Sequence, residues 1–221
     1  MFFSLPYNKV NGRKGVGKMK VVDPAVQSAK DNYHLLTGVV IPRPIAFITS
    51  QNDDGVVNAA PFSFFNVVAA EPPLIAVSVS RSEGQMTKDT AKNISASKEF
   101  VVHLVDENLV EQVNQAASSY PSSVSEVEET GLTLAPSKKV QVPGVQEASI
   151  RMECKLHQIV PLGTDEAYSS DLFIGEVVMF HISEKVIEND RVSAERVKPV
   201  SRLAGSNYSK LGQLFSLERP K

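Results

Sequence analysis

Cysteine is almost absent from this 221-residue chain: there is one, Cys154. No disulfide can form within it, and a reducing cytoplasm is the expected compartment. Long apolar runs are missing, and none approaches the roughly 18 residues that carry a helix across a bilayer. The first 18 residues set apolar residues before basic ones, the reverse of a secretory signal. Neither sign of charge dominates. Against 23 Lys and Arg stand 25 Asp and Glu, a net charge of −2 and a pI near 6.1. That balance argues against non-specific nucleic-acid binding, which draws on a basic face. His34, His103, His157 and His181 are widely spread, with no metal-ligand spacing and no second cysteine to join them. Each reads as a structural or surface histidine. There is no Gly-x-Ser-x-Gly elbow, no P-loop and no Gly-x-Gly-x-x-Gly. Any chemistry here is therefore expected to belong to a cofactor.

The length suits one domain, and 42% hydrophobic with 22% charged residues is ordinary for a globular chain. Residues 19–221 are expected to form that domain. Residues 1–18 have low hydrophobicity, no periodicity and three glycines, Gly12, Gly15 and Gly17. Two readings stay open for them: a disordered arm, or a mis-assigned start with Met19 as the true one. Both predict that shortening to Met19 leaves melting temperature and ligand binding intact.

Strands outnumber helices. Residues 44–50 read as a strand with Ile45, Phe47 and Thr49 on one face and Ala46, Ile48 and Ser50 on the other. Asn52-Asp53-Asp54-Gly55 predicts a tight hairpin turn. Residues 74–79 form a nearly continuous apolar run, expected to be buried on both faces. Residues 99–104 and 172–182 read as further strands, the latter with Gly175 marking a bulge or a close backbone approach. Met152, Cys154 and Leu156 alternate with Glu153, Lys155 and His157, the pattern of a half-buried strand. Helices are expected over 31–36, capped by Asp31 and closed near Gly38; over 87–97, with Thr87 as a cap and Ala91 and Ile94 inward; and over 106–117, with Leu109, Val110 and Val113 at core spacing. Residues 118–130 read as a polar loop or short surface helix, with Glu126, Glu128 and Glu129 on a solvated acidic face. No repeat or linker divides the chain. The lack of regular strand–helix alternation excludes a doubly wound sheet and favours a mainly antiparallel barrel with a few flanking helices.

Two stretches carry chemistry. Lys88-Asp89-Thr90 opens a helix, where free backbone N–H groups and the macrodipole favour an anion. Lys88 adds a charge and Thr90 a hydroxyl, and Arg81, beside Ser80 at the end of the preceding strand, can supply a guanidinium. Asp89 is out of place beside an anion and reads as a cap or as a partner for Lys88 or Arg81. The bland alternative is a set of solvated charges. In Asn58-Ala59-Ala60-Pro61-Phe62-Ser63-Phe64-Phe65, three phenylalanines flank a serine. Asn58, Ser63 and nearby amides offer a polar edge beside apolar faces, which suits a flat ring; a core aromatic cluster is the competing reading. Thr49 and Ser50 place two hydroxyls at a strand end, read either as a barrel rim or as capping.

The order of these pieces resembles the flavin reductase-like family, in particular its long-chain branch. The similarity runs through Pro42-Arg43-Pro44-Ile45-Ala46-Phe47, residues 58–65, Lys88-Asp89-Thr90 with Asn93, Gly175-Glu176-Val177, and Ser201-Arg202-Leu203-Ala204-Gly205 with Tyr208. It implies a split antiparallel β-barrel, a homodimer, and FMN bound near the dimer interface. By position it places Thr49, Ser50, Asn58, Ala59, Ser63 and Phe64 along the ring and ribityl chain. Ser80, Arg81, Lys88, Asp89 and Thr90 then lie around the phosphate, and Arg202 and Tyr208 fold back toward the flavin. The resemblance also implies NAD(P)H as co-substrate and a monooxygenase or redox protein as partner. One departure stands out: short-chain members often carry a histidine before their Phe-Ile-Gly strand, whereas this chain has Ser169-Ser170-Asp171-Leu172. Three readings follow: a reductase passing hydride from NAD(P)H to flavin, a non-catalytic FMN electron carrier, and a flavin-free binding module.

Overall fold

The computed structural model describes residues 18–82, 85–86, 88–164 and 168–220. The reading of the N-terminal segment, apart from Lys18, and of Thr87 as a cap falls outside the described residues. Seven strands form one sheet: β1 (Ala46–Gln51), β2 (Val57–Phe62), β3 (Phe65–Ala70), β4 (Pro73–Ser80), β5 (Glu99–Leu104), β6 (Ile150–Gly163) and β7 (Tyr168–Ile182). Their order is β2-β1-β5-β6-β7-β4-β3, antiparallel at every step. The long β6–β7 ribbon is the spine. β5 pairs with β6 only from Arg151 to Lys155, while β4 pairs with β7 only from Ser170 to Glu176. The flanking strands thus leave opposite halves of the ribbon.

The alternation in β1 is observed. Ala46 and Ile48 pack with Ile75, Val77, Phe100 and Phe173 beneath Ala91 and Ile94 of α2 (Asp89–Ser97). Ile45 and Phe47 pack the other way, with Val57, Leu109, Val113 and Val127. The Asn52–Gly55 turn closes as expected, with Gly55 at φ 84° and its N–H on Asn52 O at 3.1 Å. Gly175 marks a close approach. A Cβ there would stand 2.4 Å from Cζ of Phe100, a fully buried ring.

Several expectations need correction. The first helix, α1, runs Ala29–Val39 and is capped by Ser28, whose Oγ accepts from the Asp31 N–H at 3.1 Å and donates to Asp31 Oδ2 at 2.6 Å. Asp31 therefore holds the capping hydroxyl in place from inside the first turn, and Gly38 lies within the helix. The next helix after α2, α3, is shorter than expected, Val110–Gln115. Asp106 Oδ1 accepts from the N–H groups of Asn108 and Leu109, which makes a capped turn ahead of the helix. Glu153 does not face solvent. It is fully buried, and its carboxylate accepts from the backbone N–H groups of Lys138, Lys139 and Val140 and contacts His181 Nε2 at 2.5 Å.

The acidic stretch also differs from its solvated reading. It forms α4 (Glu126–Glu129), and Glu126 is buried. The cause is the free edge of β2. Ser125 Oγ donates to Val57 O at 2.7 Å and Glu126 Oε2 accepts from Ala59 N at 2.8 Å. Two side chains thus stand where a neighbouring strand would. The C-terminal hairpin, β8 (Val200–Arg202) with β9 (Tyr208–Lys210), is fastened to the barrel through Arg43. Arg43 exchanges both backbone hydrogen bonds with Arg202. Its buried guanidinium donates to Thr37 O and Val40 O at the end of α1 and to Leu203 O.

Candidate functional site

The expected site residues fall into three neighbourhoods. The first is the start of α2. Lys88 is the N-cap residue, exposed, and no side chain among the described residues caps this terminus. Among the described residues the Asp89 and Thr90 N–H groups thus have no side-chain acceptor, whereas the Ala91 N–H donates to Lys88 O at 3.0 Å. Behind them lie two separate side-chain pairs: Thr90 Oγ1 lies 2.8 Å from the Asn58 side-chain amide, and Asn93 Nδ2 donates to Ser50 Oγ at 3.2 Å. Thr90, Ser50 and Asn93 are buried, so they brace the helix against β1 and β2 rather than standing open. Asp89 pairs with Lys92 at 3.5 Å, in place of the Lys88 or Arg81 partnership expected from sequence.

Arg81 forms the second neighbourhood, with exposed Ser80. Its Nε and Nη2 donate to the Asp171 carboxylate at 2.7 and 2.6 Å, and its N–H donates to Ser169 O. Arg81 therefore has its charge matched inside the protein, by a buried acid in the very segment where the sequence departs from short-chain members.

The third neighbourhood lies past the end of β2. A cleft of about 230 Å3 is lined by Ser63, Arg202 and Tyr208 together with Tyr33, Pro61 and Phe62. The Arg202 guanidinium stacks over the Tyr208 ring at 4.5 Å, and Tyr208 Oη donates to Asn114 Oδ1 at 2.9 Å. Ser63 also borders a second cleft of about 360 Å3, walled by Phe64, Arg43, Leu36 and Val40. There Tyr33 and Phe64 lie 6.3 Å apart, and Arg43 sits 6.0 Å from the Phe64 ring. Rings on several sides and a few polar tips are the composition of a site for a flat ligand.

The Thr49 and Ser50 hydroxyls are not at a rim. Thr49 is fully buried and donates to Pro143 O at 2.7 Å; Ser50 is fully buried beneath Asn93. Ala59 is buried as well, so its backbone rather than its methyl meets neighbours at the β2 edge. Sequence reasoning missed Glu126, Asp171, Tyr33 and Asn114, each of which touches an expected site residue. Glu126 carried a visible sign as the start of an acidic run, which pointed to solvent, and Asp171 stood in the segment that departs from short-chain members. Burial pushes the Glu126 carboxyl up, against the Ala59 hydrogen bond and with help from nearby Asp89. Cys154 is fully buried, and burial pushes its thiol far above the ordinary value. No described helix is long and apolar enough to cross a membrane.

Comparison with known proteins places this geometry. The model of the flavin reductase like domain matches residues 38–197. The uncharacterized protein YwrF of Bacillus subtilis is 50% identical over 196 residues, covering 87% of this chain and 95% of its own. The crystal structure of nitrilotriacetate monooxygenase component B from Bacillus cereus matches with a TM-score of 0.89 and 51% identity, over 91% of this chain and all of that one. The 2-nitrobenzoate 2-nitroreductase NbaA of Pseudomonas fluorescens matches with a TM-score of 0.81 and 34% identity, over 91% and 96%. The offset seven-stranded sheet and the few helices are thus those of a known architecture, and the chain belongs to the flavin reductase-like family of split β-barrels.

Proposed function

We propose that the protein is an FMN-dependent oxidoreductase of the flavin reductase type, taking NADH or NADPH as co-substrate. The observation that carries this reading is the start of α2, where Lys88 and N–H groups that no described side chain caps fit a phosphate. β2 leads from there to the ring-lined cleft: the five steps from Asn58 to Ser63 span about 17 Å. Bound FMN supplies the ring that accepts hydride. The chain's residues bind, orient and exclude water. Lys88 and the α2 amides hold the phosphate. Phe62, Phe64 and Tyr208 give apolar contact to the ring, and Ser63 and Arg202 offer it hydrogen bonds. No side chain is asked to act as acid or base.

The test is the absorption spectrum of the purified protein, followed by additions of NADH and NADPH. A flavin spectrum bleached rapidly by either supports the reading; colourless protein after incubation with FMN overturns it. A second result is expected from Lys88→Ala. Charged hydrogen bonds contribute about 1.5–3 kcal/mol each, so FMN binding should weaken about tenfold or more while riboflavin binding holds. Equal weakening of both removes Lys88 from the phosphate site.

A second reading, an FMN electron carrier, is favoured by the Ser169–Leu172 segment, where Asp171 is committed to Arg81 and no imidazole stands. Reduction by a redox protein but not by NAD(P)H selects it. A monooxygenase as the downstream partner is supported by the name of the Bacillus cereus protein. A homodimer is supported by apolar side chains left open on the outer strand β3 and on α1: Val67 is 69% exposed and Val39 72%. Light scattering at micromolar concentration should give twice the 24.1 kDa of the chain; a monomer mass rules the dimer out.

A further inference from the structure

We propose that Glu126 is a positioning residue of the candidate phosphate site, and that an anion bound at the start of α2 draws a proton from solvent onto it. The nature of that anion rests on the FMN reading; the switch at Glu126 does not. The contacts are few. Glu126 Oε2 accepts from Ala59 N at 2.8 Å, a bond that needs only an acceptor and survives in either protonation state. The other oxygen faces the Asn58 side-chain amide, whose far end meets Thr90 Oγ1. An amide has one donating and one accepting end, so its orientation decides what both neighbours do.

With Glu126 ionised, Asn58 Nδ2 donates to Oε1 at 3.1 Å, and Asn58 Oδ1 accepts from the Thr90 hydroxyl at 2.8 Å and, more distantly, from Ala59 N at 3.3 Å. The Thr90 proton is then committed. With a solvent proton on Oε1, the opposite orientation serves both Oε1 and Thr90 Oγ1; it gives up the 3.3 Å contact of Asn58 Oδ1 with Ala59 N, whose N–H keeps its bond to Glu126 Oε2. The carboxyl donates to Asn58 Oδ1, and Asn58 Nδ2 donates to Thr90 Oγ1 at 2.8 Å. Thr90 now accepts, and its buried hydroxyl proton is no longer held by Asn58. The change needs an amide to turn over and nothing larger.

The charged surroundings give the switch its sign. Asp89, from α2, is the acid whose charge acts on Glu126. Glu128 and Glu129 share its own helix, and β2 presents the Asn58 amide and the Ala59 N–H. Burial already favours the neutral carboxyl, and a phosphate added near Asp89 favours it further. Coupling is reciprocal: if the anion raises proton affinity, the proton raises anion affinity by the same factor.

Glu126→Gln tests this and is expected to fold, because its oxygen still accepts from Ala59 N and its NH2 donates to Asn58 Oδ1, the bonds of the protonated state. In the apoprotein, carbon-13 NMR of glutamate carboxyls should show Glu126 titrating above the exposed glutamates. The Asn58 side-chain amide resonances should move with the same midpoint. Inorganic phosphate or FMN should raise that midpoint. In the variant the Asn58 amide should stay at its low-pH position throughout. FMN affinity of the wild type should fall relative to the variant as pH rises through the midpoint, about tenfold for each unit of coupling, while riboflavin affinity changes equally in both. The second ionisation of the FMN phosphate, near pH 6, acts alike on wild type and variant and cancels in the ratio. Parallel pH profiles in wild type and variant overturn the anion link, as does a midpoint that neither phosphate nor FMN moves. Asn58 resonances that ignore the Glu126 titration overturn the switch. FMN binding at no pH sinks the functional reading alone, and inorganic phosphate and the amide resonances then decide.

Discussion

Glu153→Ala is expected to destabilise the fold by about 3–5 kcal/mol, the loss typical when one member of a buried charged group is removed and its partners are stranded. The partners are three backbone N–H groups of residues 138–140 and the His181 ring. Without the carboxylate those donors are enclosed with no acceptor, and the loop that packs Val140 and Val142 against Val101 of β5 loses its anchor. Burial by itself opposes ionisation of Glu153, but the His181 hydrogen bond and the three backbone donors outweigh it and hold the carboxyl below its ordinary value. A depressed carboxyl contributes stability above the unfolded pKa of 4.5 and loses it as pH falls further. Urea denaturation at neutral pH measures the effect; a loss under about 1 kcal/mol shows that the loop is held by other contacts. Glu153→Gln keeps one acceptor and should lose less.

His103 should make the protein acid-sensitive at a higher pH than its carboxylates do. The ring is fully buried in β5, with Nδ1 donating to Phe47 O at 2.9 Å and Nε2 accepting from Val145 N at 2.8 Å. Only the neutral ring can make both bonds. Burial lowers its pKa from 6.5 to about 4, with Arg151 adding to the effect and the Phe47 carbonyl opposing it. The unfolded chain takes up this proton near pH 6.5 while the folded one refuses it until about pH 4. The contribution is therefore complete above the first value and lost across the interval. At about 1.36 kcal/mol per unit it amounts to about 3 kcal/mol. Glu126, shifted upward, acts with the opposite sign and adds stability as pH falls, so the wild-type profile alone mixes the two. Urea midpoints across the interval for wild type and His103→Gln separate them. The wild type should lose stability more steeply, and equal slopes would mean that His103 is protonated in the native state.

What the sequence disclosed and what it hid have a physical division. β1, β4 and β5 were legible because period-two alternation and apolar runs act within a few residues. The turn at Asn52–Gly55 was legible because positive φ has few solutions. Lys88 at the head of α2 was legible for the same local reason, although its helix begins two residues later than expected. Glu153 and Glu126 were not, because their partners lie 13–15 and 67 positions away in sequence. An acid in a strand and an acid in a polar run both look solvated until the donors that meet them are in place. The Thr49 hydroxyl was misread likewise, since Pro143 lies 94 residues away. The shortened α3 and the Ser28 cap are smaller errors, in which one side chain took backbone donors assigned to another.

The side-chain cover over β2 carries a consequence for how the protein survives crowding. An outer strand with open N–H and C=O groups is a template on which other chains can add. β2 contains Pro61, which presents no donor, and α4 with its N-cap Ser125 screens Val57 and Ala59 with one hydroxyl and one carboxylate. That screen is a four-residue helix, whose opening needs far less free energy than unfolding the barrel. The propensity of this protein to aggregate should therefore follow the local opening of α4, so that two variants of equal global stability can differ widely in shelf life if only one of them loosens Ser125 or Glu126.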